Sequence, residues 1–266
     1  MKLKTILLLA IFISMIGCKQ QEQKKENTSK STLEIPQPEK TSSHLTNWKN
    51  AINSYNRNAL RNTYETNAVK IISADNILTS TSEIANYYGI QKDKITSVES
   101  LFSVEANKKR GITYEIVRYT LDNQTAHIQI VIWKTKDEKV IREFEFTETY
   151  TAAEVNSSEI AKRRKLWMEL CNAHNAENLV KQLYSKNTMY FNHKPLIQGT
   201  EALTKEYNYM NNENYSLQLD PLKLAIVNAN FAFEIGQCSG GYGGKYILVW
   251  KKEADGNWYV YIDSNI

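Results

Sequence analysis

The feature that most constrains this chain is that one pattern is written twice. When Trp48 is set against Trp167, the residues that follow fall into step. Tyr55-Asn56 meets His174-Asn175, Tyr64 and Asn67 meet Tyr184 and Asn187, and Glu83 meets Glu201. Further on, Tyr114-Glu115-Ile116 meets Phe233-Glu234-Ile235, and Trp133-Lys134 meets Trp250-Lys251. The offset stays near one domain length, and it drifts by single residues as a duplicated and diverged domain would. We place the copies at residues 44–150 and 158–266, joined through 151–158. A chain of 266 residues has room for both.

Each copy opens with an amphipathic helix. Leu45, Trp48, Ile52, Tyr55 and Ala59 step by three and four, as do Leu166, Trp167, Leu170, Cys171 and His174. A short strand follows, such as residues 188–192. A second helix then starts at a capping box in copy one, Ser80 to Glu83, and at Gly199-Thr200-Glu201 in copy two. Long alternating runs come next. Tyr215, Leu217 and Leu219 form one, Phe231, Phe233 and Ile235 another, and Asp255-Gly256 joins the last two strands. Helices first and a strand meander after predict an α+β domain, its helices packed on one face of an antiparallel sheet.

The amino terminus reads as a targeting segment. Lys2 and Lys4 precede an apolar run over residues 6–16, too short to span a bilayer, and Gly17-Cys18 follows at once. This resembles the bacterial lipobox, with Met15 where leucine is more usual. The resemblance implies a signal peptide over 1–17, lipid on Cys18, and attachment to the cell envelope, facing the periplasm or the exterior. Residues 18–43 are rich in Lys, Gln, Glu, Ser, Thr and Pro and read as a flexible tether. Net charge is +4, two units of it from Lys2 and Lys4, so no nucleic-acid partner is expected. The run Lys162-Arg163-Arg164-Lys165 reads as a solvated helix face.

Trp on the first helix, Tyr-x-x-Asn at the first strand, Gly199-Thr200-Glu201 at the second helix and a terminal Trp-containing hairpin resemble the nuclear transport factor 2-like superfamily, its SnoaL-like branch above all. Copy two carries the better likeness, because copy one has Thr81 near the place of Gly199. The resemblance implies two cone-shaped domains, each with a curved sheet wrapped around helices and a cavity inside. Two fused copies then pair within one chain through their outer sheet faces. Members of the superfamily include isomerases, dehydratases, cyclases and non-catalytic binders, so fold alone leaves the activity open.

Several residues are candidates for chemistry. Glu115 and Glu234 hold the same strand place, and alternation with Phe233 sends Glu234 to a solvent face. His174 and Asp263 resemble the acid–base pair of family cyclases, although His174 aligns with Tyr55 and reads first as a core or pocket-lining histidine. Tyr190, Asn192, Tyr207, Tyr246 and Trp250 lie on elements that line the cone in this family. Gly240 to Lys245 lacks phosphate-loop spacing and reads as a mobile hairpin loop, a lid at the cavity mouth. Cys171 and Cys238 read as two free thiols, and no metal-ligand spacing or cofactor motif is present. The reading is a lipid-anchored envelope protein that binds a small, partly apolar ligand, or another envelope protein, without catalysis. The alternative is an isomerase, dehydratase or cyclase using the second cavity.

Overall fold

The computed structural model describes residues 42–193 and 195–266. The signal segment, Cys18 and all but the last two residues of the tether lie outside these residues. Ser42 and Ser43 are helix cap and first helical residue rather than tether.

The two copies share one order of elements. In copy one these are α1 (Ser43–Asn53), α2 (Arg57–Arg61), β1 (Tyr64–Ser73), β2 (Asn76–Leu78), α3 (Thr81–Gly89), β3 (Ile95–Asn107), β4 (Ile112–Leu121), β5 (Ala126–Lys136) and β6 (Lys139–Thr149). Copy two has α4 (Ser157–Asn172), α5 (Ala176–Leu183), β7 (Tyr184–Tyr190), β8 (Ile197–Gln198), α6 (Thr200–Glu206), a 3-10 turn (Tyr207–Asn211), β9 (Leu217–Ile226), β10 (Phe231–Gly240), β11 (Lys245–Lys252) and β12 (Trp258–Asn265). Even backbone irregularities recur. Tyr55 and His174 both take a left-handed φ, of 53° and 56°. The asparagine after each caps the next helix through its side chain. Both last strands carry a bulge at the same register, opposite Trp133 and opposite Trp250.

The expected antiparallel, cone-shaped sheet is corrected on both counts. The strand orders are β2-β1-β6-β5-β4-β3 and β8-β7-β12-β11-β10-β9. The first strand of each copy lies beside the last and runs parallel to it, so both sheets are mixed. Each order is open, ending in two edge strands, and neither sheet closes or curls into a cone. Alternation reveals a strand's two faces but not its neighbour or direction, and that is where the expectation failed.

Both faces of each sheet are covered. Helices cover one face, burying Leu45, Trp48 and Ile52 from α1 and Ile160, Trp167 and Cys171 from α4. The other face contributes to a cluster with side chains from both copies, including Ile130, Phe144 and Phe146 with Phe191, Phe233 and Val249. Phe144 stacks on Phe191 at 5.1 Å between ring centroids, and Phe146 meets Phe233 at 5.7 Å. His193 Nδ1 lies 2.6 Å from Glu143 Oε2 across the same boundary.

This burial corrects three further expectations. Glu234 faces no solvent: Phe233 points to the shared cluster, and Glu234 points to the helices at 0% exposure. Arg164 leaves the solvated face and lies buried beneath α4, on the stripe of Ile160, Trp167 and Cys171. Tyr55 and His174 lie beyond the ends of their helices, where the left-handed turn takes them off the apolar stripe, and Tyr55 is exposed.

Candidate functional site

In each copy a tryptophan, a tyrosine and an acid are linked in one chain of hydrogen bonds beneath the helices. In copy two, Trp167 Nε1 donates to the Tyr184 hydroxyl at 2.8 Å, and Tyr184 donates to Asp263 Oδ2 at 2.6 Å. Tyr207 donates to the same oxygen at 2.5 Å. In copy one, Trp48 Nε1 donates to Tyr64 at 2.9 Å, Tyr64 donates to Glu145 Oε2 at 3.0 Å, and Tyr88 donates to Glu145 Oε1 at 2.8 Å. Strand register makes Asp263 and Glu145 equivalents, since Asp263 faces Tyr190 where Glu145 faces Lys70.

The surroundings of the two acids differ. Glu145 has Lys70 at 3.0 Å and Arg142 at 2.5 Å. Burial alone would raise its pKa, but the attraction of these two cations prevails and brings it down to about 2. Asp263 has Tyr190 in the place of Lys70 and Val260 in the place of Arg142. Burial pushes Asp263 up to about 6, and the two tyrosine hydrogen bonds only partly oppose it. Burial also raises the hydroxyls of Tyr184 and Tyr207 well above the usual phenol range, so both remain donors at neutral pH.

Asp263 lines a cavity of about 230 Å³ between the helices and the sheet of copy two. Trp167, Tyr207, Tyr246 and Leu248 line its inner part, and Tyr209, Tyr215 and Tyr242 stand nearer solvent. Both tyrosine bonds go to Oδ2, and among the described residues no hydrogen bond reaches Oδ1. The site is therefore an apolar, aromatic chamber with a carboxyl group in its wall, one oxygen of which has no hydrogen bond among the described residues.

Two glycines make room for this wall. A Cβ on Gly236 would lie 2.2 Å from the ring of Tyr246, and one on Gly244 would lie 2.4 Å from the hydroxyl of Tyr242. Gly236 thus lets Tyr246 cross to Glu234, to which it donates at 2.7 Å. Glu234 also receives two bonds from Arg164, at 2.7 and 2.6 Å, and one from Trp250 Nε1 at 3.0 Å. A carboxylate with four charge-assisted bonds is a structural clamp that holds α4, Tyr246 and Trp250 together. Its counterpart Glu115 receives Trp133 Nε1 at 2.6 Å and has His44 at 3.3 Å.

The structure brings together three of the residues singled out in the sequence, Tyr207, Tyr246 and Asp263. Glu234, Trp250 and Tyr190 lie outside the cavity lining; Tyr190 packs on Tyr207 at 5.5 Å and donates to Asn265. Asn192 donates to Glu206 at 3.3 Å, away from the cavity. His174 Nδ1 lies 3.4 Å from the Met210 carbonyl at the end of α4, so no Asp263–His174 pair forms. Sequence reasoning passed over Trp167 and Tyr184 as site residues, although both anchor the repeat. Tyr242 comes from the glycine loop between β10 and β11, read as a lid, and lines the cavity. Cys171 and Cys238 are free and buried. Among the described residues no group of three His, Cys, Asp or Glu side chains could hold a metal ion, and no helix is long and apolar enough to cross a membrane.

No family model matches the chain, and no curated protein matches it. Solved structures do, each over a share the size of one copy. An NTF-2 like protein of unknown function from Shewanella oneidensis MR-1 is similar over 41% of this chain and 97% of its own, at 16% identity and a TM-score of 0.38. A ketosteroid isomerase-like protein from Erwinia carotovora atroseptica SCRI1043 is similar over 41% and 92%, at 14% identity and 0.35. A domain of unknown function with a cystatin-like fold from Nostoc punctiforme PCC 73102 is similar over 43% and 78%, at 12% identity and 0.36.

Proposed function

We propose that this is a lipid-anchored envelope protein built from two nuclear transport factor 2-like domains, whose second copy binds a small, partly apolar molecule without transforming it. The observation that carries the binding reading is the aromatic chamber with Asp263 in its wall. Its walls match an apolar body, and a hydroxyl on the ligand would meet the carboxyl oxygen. Binding rather than chemistry is favoured because His174 and Glu234 stay out of the chamber and burial raises the hydroxyls of Tyr207 and Tyr246, leaving Asp263 without a partner that titrates near neutral pH. The full chain, melted with and without p-cresol, tests this. p-Cresol should raise the melting temperature, and Leu219→Trp, which fills the chamber, should remove the rise. No rise, or an equal rise in the variant, would sink the reading.

One observation supports a second reading. A carboxyl raised to about 6 is poised to exchange a proton near neutral pH. Exchange of the α-hydrogens of cyclohexanone for solvent deuterium, abolished by Asp263→Asn, would turn the proposal towards an isomerase-type enzyme. The anchoring rests on Lys2, Lys4, the apolar run and Gly17-Cys18. Cys18→Ser should move the protein from the membrane fraction to the soluble one. Pairing of the two sheets within one chain is part of the same proposal, supported by the aromatic contacts between the copies. A single-chain mass in sedimentation tests it.

A further inference from the structure

Copy one has a chamber of its own, with different chemistry. It measures about 430 Å³ and lies between α3 and the sheet, lined by Lys70, Tyr87, Tyr88, Tyr119, His127 and Thr147 among others. By strand register Thr147 stands where Asn265 stands in copy two, and Tyr88 and Tyr207 each donate to the acid of their own copy. The two linings overlap only at such positions, since Lys70 lines this chamber whereas Glu145, the counterpart of Asp263, does not.

Its inner end is short of negative charge. Lys70 is 3% exposed and Arg142 is 0% exposed, yet both share one carboxylate, Glu145. The Arg142 guanidinium is sealed between the rings of Trp48 and Trp133, at 3.8 and 4.6 Å, and is absent from the chamber lining. Lys70 does line the chamber. Its ammonium contacts Glu145 and donates to the Tyr88 hydroxyl at 3.0 Å, and no partner for its third N–H stands among the described residues. Burial and the charge of Arg142 both disfavour the ammonium, with only Glu145 opposing them. Two acids, Asp93 and Glu148, also belong to the lining, but neither pairs with Lys70: Asp93 is exposed, and strand alternation sends Glu148 to the sheet face opposite Glu145 and Thr147. The remaining wall offers flat faces: Tyr119 stacks on His127 at 5.0 Å, and the Lys70 ammonium lies 5.0 Å from the Tyr87 ring centroid.

We propose that the copy-one chamber is a second binding site, for a small organic anion whose carboxylate meets the third N–H of Lys70 and whose planar body lies against Tyr87, Tyr119 and His127. A carboxylate there would complete the charge balance of a buried Lys–Arg–Glu cluster, and the interaction would gain from the low local dielectric. The proposal is independent of the ligand of copy two.

Benzoate and its neutral analogue benzamide are the probes, titrated into the full chain labelled with nitrogen-15. Benzoate should shift amides around Lys70, Tyr87, His127 and Thr147 and should saturate, with benzamide at least about tenfold weaker, a gap of roughly 1.4 kcal/mol. Lys70→Met should lose benzoate, and Lys70→Arg should keep it. Equal binding of benzamide, or benzoate shifts confined to Tyr209, Tyr215 and Tyr242, or no saturation, would overturn the proposal. The mapping on the unaltered protein decides the matter even where Lys70→Met fails to fold.

Discussion

Glu145 and Asp263 occupy one position in two copies of one fold, and they live in opposite electrostatic worlds. Both receive hydrogen bonds from two tyrosines, and in both copies one of these is backed by a tryptophan N–H. Glu145 has two cations and is held down at about 2, whereas Asp263 has none among the described residues and is pushed up to about 6. The scaffold is indifferent to this choice because the tyrosine bonds suit either protonation state. What differs is the pair of residues beside the acid: Lys70 and Arg142 in copy one, Tyr190 and Val260 in copy two. With the acid itself, three differences separate an internal ion cluster from an acid in the wall of an apolar chamber.

The comparison breaks most readily by neutralising each acid. Glu145→Gln leaves two buried cations without a counter-charge and should cost about 3–5 kcal/mol at pH 7 in chemical denaturation. Because the folded pKa lies below the unfolded one, this loss should be present above about pH 4.5 and fade as pH falls towards about 2. Asp263→Asn should do the reverse. Its folded pKa is raised from 3.8, so the unfolded chain ionises first as pH rises and wild-type stability drops through that window. The variant should gain up to about 3 kcal/mol above pH 6 and nothing below pH 4. Equal signs for the two variants would end the contrast.

Smaller changes sharpen it. Gly236→Ala drives a Cβ into Tyr246 and should cost about 1–3 kcal/mol, together with p-cresol binding. Val117, which faces Gln129 where Gly236 faces Tyr246, should accept Ala with no effect on that probe. His174→Gly should change stability by no more than about 0.5 kcal/mol, because relief of the left-handed backbone offsets the extra freedom of glycine in the unfolded chain. Loss of p-cresol binding in His174→Gly would place that histidine back in the site.

Much of the architecture was legible because it is local. The Trp48 and Trp167 registers and the capping box at Ser80 and Glu83 reappear as read, and the alternation through Phe233 separates the strand's two faces. Tyr207, Tyr246 and Asp263 were singled out through the family resemblance, and the structure places all three in the lining of one cavity. Glu234 could not be placed, because alternation separates two faces without saying what covers them. Here one face meets the helices and the other meets side chains of the second copy.

The sequence by itself determined that one α+β unit occurs twice and which residues hold equivalent places. Only the tertiary structure decided that the first strand of each copy runs parallel to the last, that Arg164 is buried on Glu234, and that Asp263 lacks the cations that surround Glu145. The physical reason is range. Helix periodicity and strand alternation act between neighbours along the chain. Strand order, burial and the electrostatic partners of a buried acid arise from residues dozens of positions apart, as with Tyr184 and Asp263.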